Sequence, residues 1–152
     1  MNAHSKIRST PWPPRALLGE AEKKAVDALF DRAIASGQAF GYNGAEEEAL
    51  CRQFAASMGG GYADGVNSGT SAVYVALRAL DLEPFSEVIV SPITDPGGIM
   101  PIPLLNCIPV VADAAPGSFN TGPDQVAARI TPRTRAILVA HVMGEPADMP
   151  GI

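Results

Sequence analysis

Lysine runs out early in this chain. Lys6, Lys23 and Lys24 are the only three in 152 residues, so chemistry that needs an amine nucleophile finds none in residues 25–152. Aromatics make up 6%, which leaves the packing of any core to Ala, Val, Leu and Ile. Eleven Lys and Arg are scattered among sixteen Asp and Glu, for a net charge of −5. No basic stripe forms, which excludes a nucleic-acid footprint. The two cysteines, Cys51 and Cys107, form no CxxC and no Cys/His pair at metal spacing. They read as two buried free thiols in a reducing compartment. The longest apolar stretch, Ile99 to Ala115, is broken by Pro101, Pro103 and Pro109, so no membrane span is expected. The opening MNAHSKIRSTPWPP has no apolar core of a signal peptide. These exclusions point to a soluble cytoplasmic protein.

What is present is globular in kind: 47% hydrophobic and 18% charged residues, enough to build a core. Pro11, Pro13 and Pro14 around the lone Trp12 read as an extended arm. Over 19–36, Ala21, Ala25, Ala28, Leu29, Ala33 and Ile34 recur at helical spacing, and Gly37 ends the run. A second helix is predicted over 45–58, with Leu50, Phe54, Ala55 and Met58 on one face. Glu46, Glu47 and Glu48 lie in its first turn, where negative charge suits the helix dipole.

After Gly61 the pattern changes. A short strand is expected at 62–66, then a helix at 70–80, with strands at 87–91, 108–113 and 136–140. Helical sequence at 123–130 has Thr121 as a candidate N-cap. Three prolines in 94–106 allow at most a short or kinked helix there. Val/Ile strands alternating with helices argue for a parallel sheet covered on both faces. The expected organisation is an N-terminal arm and helix over 1–40 and an α/β domain over 41–152.

The sharpest local feature is Asn67-Ser68-Gly69-Thr70-Ser71-Ala72, between a predicted strand and a helix. Gly69 lets a ligand come close to the backbone, and the free N–H groups of a first helical turn favour an anion. Ser68, Thr70 and Ser71 add hydroxyls, so the segment can cradle one phosphate or serve as a plain N-cap. It is neither a Walker A loop nor GxGxxG. His141 and Asp113 stand at predicted strand ends, and Asp148 lies in GEPADM further on. His141 reads as a positioned structural imidazole, Asp113 as a turn cap, and Asp148 as the start of a further helix.

Five segments in order, AEEEALCRQFAASMG, VNSGTSAVYVALRAL, EVIVSPIT, IPVVADAAPGSFNTG and ITPRTRAILVAHVMGEPADM, resemble the DegT/DnrJ/StrS family of sugar aminotransferases from about residue 37 onward. The resemblance implies the three-layer, parallel-sheet large domain of pyridoxal-phosphate fold type I. It implies a homodimer acting on a keto-sugar nucleotide or related substrate with an amino donor, without nucleic acid or membrane. Ser68, Gly69 and Thr70 match the segment that holds the phosphate of pyridoxal 5′-phosphate. Thr94 matches the threonine before a residue that stacks on the cofactor ring. That next position is usually aromatic; here it is Asp95, which cannot stack.

In the family the Schiff-base lysine and its acidic partner follow the region matched here. The chain is therefore expected to be a truncated N-terminal portion, inactive by itself, of an aminotransferase. The alternatives are a portion of a same-fold sugar dehydratase, with a histidine in place of the lysine, and a non-catalytic interaction protein.

Overall fold

In a computed structural model, residues 18–152 are described, and the chain divides into two compact units between Ala63 and Asp64. The predicted arm around Trp12 lies outside the described residues.

The first unit carries helix α1 (Glu20–Ser36) and helix α2 (Ala45–Ser57). Gly37, at φ 67°, closes α1 in the left-handed conformation that glycine adopts without strain. Glu22 reaches back to the Gly19 N–H and caps the same helix at its start. Phe30 and Phe40 meet edge to face at 5.3 Å. Neither helix buries a residue, so Cys51 is only half-buried, against the expectation for a core thiol.

The second unit holds α3 (Gly69–Ala79), β1 (Glu87–Val90), α4 (Pro101–Leu104), β2 (Ile108–Val111), α5 (Pro123–Ala127) and β3 (Thr134–Leu138). The three strands form a parallel sheet in the order β2-β1-β3. Central β1 is buried along its whole length, as its uninterrupted EVIV sequence requires of a strand covered on both faces. Side chains alternate across it. Val88 and Val90 pack with Leu77, Ile102 and Cys107 on the face covered by α3 and α4. Ile89 packs with Ala112 and Val126 on the face covered by α5. Each buried Val, Leu and Ile of these clusters contributes roughly 1.5–3 kcal/mol by leaving water. Helices on both faces of a parallel sheet make the three-layer α/β arrangement that the alternation predicts.

At the head of the sheet, the buried Glu87 carboxylate accepts from Thr131 Oγ1 at 2.5 Å and from Arg133 Nε at 2.8 Å. These bonds tie β1 to the lead-in of β3, beside an irregularity of register between Glu87 and Val88. The Thr131 hydroxyl first, and the Arg133 guanidinium next, hold the Glu87 carboxyl below its ordinary pKa.

Two local expectations are corrected. Residues 62–66 form no strand, because no described strand pairs with them and an extended segment without a ladder is not a strand. Thr121 is not the cap of α5. Gly122 takes that position, and the Thr121 hydroxyl is buried without a partner among the described residues. The proline-rich 94–106 segment folds as anticipated, into a 3-10 turn at Pro96–Gly98 followed by the single turn of α4.

Candidate active site

Ser68 opens α3 with an extended backbone, and its Oγ accepts from Ser71 N–H at 3.1 Å. The same hydroxyl donates to Ser71 Oγ, which donates in turn to Asn67 Oδ1 at 2.6 Å. Ser68 is therefore the helix cap, and its hydroxyl is spent on the helix. The N–H groups of Gly69 and Thr70 have no acceptor among the described residues, as the first turn of a helix leaves them.

Those two residues border a cleft of about 340 Å³, within the size range of small-ligand sites. Its floor is the carboxyl ends of β1 and β3, at Val90, Ser91 and Leu138, where ligands of open α/β sheets bind. Its opposite wall is the 94–98 turn. Asp95 caps that turn by accepting from Gly97 N–H at 2.8 Å through Oδ1.

Glycine at 97 and 98 is a steric requirement. A Cβ on Gly97 would run into Thr70 Oγ1, and one on Gly98 into Thr94 Oγ1. The turn thus lies directly against the first turn of α3. Of the residues singled out from sequence, Gly69, Thr70, Thr94 and Asp95 come together at the cleft, whereas Ser68 stands behind it as a cap.

His141 follows β3 and borders an adjoining recess with Thr94 and Asp95. Its Nδ1 accepts from Ala147 N–H at 3.0 Å, the positioned imidazole expected from sequence. Asp113 Oδ1 accepts from Ala114 N–H at 2.8 Å, a local contact in the segment after β2. Asp148 Oδ1 accepts from Gly151 N–H at 3.2 Å and its carbonyl accepts from Ile152 N–H at 3.1 Å, the bonds of a first helical turn and its cap.

Two residues that matter here were not singled out in the sequence. Ser91 is 2% exposed, and its Oγ accepts from Ala140 N–H at 2.9 Å, which joins the ends of β1 and β3 under the cleft. A polar residue closing an apolar strand was a usable signal for it. Asn120 is 3% exposed and bonds both Val142 N–H and the Glu145 carbonyl, a pairing across 22 and 25 residues with no local sequence mark.

The model of the DegT/DnrJ/EryC1/StrS aminotransferase family matches residues 20–152. The chain belongs to that family. It is 33% identical over 149 residues to the dTDP-3-amino-3,4,6-trideoxy-alpha-D-glucose transaminase of Streptomyces venezuelae, covering 98% of this chain and 39% of that protein. It is 36% identical to the dTDP-4-dehydro-2,6-dideoxy-D-glucose 3-dehydratase of Saccharopolyspora spinosa, covering 91% and 30%. The fold matches the aminotransferase from Psychrobacter cryohalolentis with a TM-score of 0.81 at 33% identity, over 93% of this chain and 35% of that one. The chain spans between about a quarter and two fifths of the length of the curated relatives it matches.

Proposed function

We propose that this chain forms the phosphate-binding part of the large domain of a pyridoxal-phosphate-dependent aminotransferase. The whole protein acts in the cytoplasm as a homodimer on a keto-sugar nucleotide or related substrate, with an amino donor. The observation that carries the reading is the cleft at the carboxyl ends of the strands, lined by the free amides of Gly69 and Thr70, in a chain of this family.

The residues present fit the cofactor's phosphate. Two N–H groups without an acceptor among the described residues, the Thr70 hydroxyl and the positive end of the α3 dipole converge at the cleft. Ser68 keeps the helix capped so that these amides stay directed outward. Gly97 leaves the Thr70 hydroxyl its space. Pyridoxal phosphate, when bound, supplies an electron sink for amino transfer and needs a lysine to anchor it. Lys6, Lys23 and Lys24 precede the cleft residues, so that lysine lies outside residues 25–152.

A same-fold dehydratase is the second reading, supported by the 36% identity to the Saccharopolyspora spinosa enzyme. Incubating the full-length protein with pyridoxal phosphate, a dTDP-keto-sugar and glutamate separates the two. Formation of an amino sugar and 2-oxoglutarate supports the aminotransferase. Loss of a sugar hydroxyl without amine incorporation supports the dehydratase. Absence of cofactor binding would overturn both. For the 152-residue chain alone, borohydride reduction with the cofactor is expected to leave no pyridoxyl adduct at the cleft.

A further inference from the structure

The segment after β3 is held from two sides. Ala140 N–H is bonded to buried Ser91, and buried Asn120 takes Val142 N–H at 2.8 Å and donates to the Glu145 carbonyl at 2.8 Å. Inside that frame, Ala147 N–H donates to His141 Nδ1 at 3.0 Å. An imidazole nitrogen accepts only through a lone pair, so Nδ1 carries no hydrogen while this bond stands. The hydrogen of the neutral ring is therefore on Nε2, which has no partner among the described residues.

The ring borders the recess that also includes Thr94 and Asp95, both of which line the neighbouring cleft at α3. Asp95 commits Oδ1 to Gly97, and its other oxygen has no partner among the described residues. A fixed N–H donor and a carboxylate acceptor thus share one recess. A hydroxyl group is the ligand chemistry that answers both, since it accepts and donates at once.

We propose that His141 is a binding residue held as the Nε2–H tautomer, and that with Asp95 it recognises a ring hydroxyl of the bound ligand. This rests on the aminotransferase reading for the ligand's source, either the pyridoxal ring or the sugar, and on the geometry alone for the tautomer.

Long-range proton–nitrogen spectra of the full-length protein labelled at histidine test the tautomer, with His141 assigned by its loss in His141→Gln. Hydrogen on Nε2 is expected, and hydrogen on Nδ1 overturns the proposal. Pyridoxal phosphate and dTDP-glucose are then titrated separately into wild type, His141→Gln and His141→Leu. Gln keeps an N–H donor and should bind within about threefold of wild type, whereas Leu should weaken one probe by roughly tenfold or more. A loss confined to pyridoxal phosphate places the hydroxyl on the cofactor, and a loss confined to dTDP-glucose places it on the sugar. Equal affinity of all three proteins for both probes overturns the proposal while leaving the aminotransferase reading intact. A wild type that binds neither probe removes that reading and the ligand assignment with it.

Discussion

Residues 18–63 and 64–152 use the same apolar residue types to different ends. In the first unit Val26, Phe30, Ile34, Leu50, Phe54 and Met58 follow helical spacing, yet each is at least half exposed. In the second, Val88, Ile89 and Val90 are at most 1% exposed between two helical layers. The contrast teaches what periodicity states and what it omits. It says which face of an element is apolar, and it is silent on what covers that face. A strand that is apolar on both faces implies two covering layers, whereas an amphipathic helix implies only one unnamed neighbour.

The largest expected effect is in the sheet. Ile89→Ala should cost about 2–5 kcal/mol in chemical unfolding of the full-length protein, through lost transfer energy and a cavity. Phe30→Ala, at a side chain that is half exposed, should cost about 1 kcal/mol or less. A loss above about 2 kcal/mol at Phe30 would break the comparison and show that the whole protein covers the α1 face.

Next is Gly97→Ala. The added Cβ meets Thr70 Oγ1, so the turn or the hydroxyl must move. Affinity for pyridoxal phosphate, read by absorbance titration, is expected to fall roughly tenfold. Retention of wild-type affinity would show that the Thr70 hydroxyl does not need that position.

Glu87 gives a pH-dependent effect. Its folded pKa is lowered by Thr131 and Arg133, so its contribution to stability is fully present above the ordinary glutamate value of about 4.3. That contribution is lost as pH falls through the lower folded value. Glu87→Gln should therefore lower the melting temperature at neutral pH and flatten the fall in stability on acidification. Parallel pH profiles for variant and wild type would contradict the role assigned to the buried carboxylate. The smallest effect belongs to the first unit, where Arg32 and Glu46 pair with both side chains more than half exposed. Arg32→Gln should change unfolding free energy by about 1 kcal/mol at most, and less in high salt.

Much of the second unit was legible because its signals are local. EVIV, IPVV and TRAIL are short Val/Ile-bearing runs whose strands pair in parallel, and the prolines of 94–106 limit helix to single turns. Gly69 and Thr70 are marked locally by the helix start, Thr94 and Asp95 only by the family resemblance, and all four share a cleft. Ser68 was read as offering a hydroxyl, but capping claims it. The strand expected at 62–66 failed because pairing is non-local, and Thr121 lost the cap to Gly122 by one residue. Asn120 could not be found, since its partners lie more than twenty residues away.

The first turn of α3 is proposed to hold the cofactor's phosphate through its amides. Gly69 is the first residue of that helix, a position where proline removes one N–H and is otherwise well tolerated. The decisive measurement compares pyridoxal phosphate with phosphate-free pyridoxal, titrated into full-length wild type and Gly69→Pro, with helix content followed by circular dichroism. With helicity unchanged, the variant should lose roughly tenfold or more in affinity for pyridoxal phosphate and little for pyridoxal. Equal affinities of the two proteins for pyridoxal phosphate would contradict the claim.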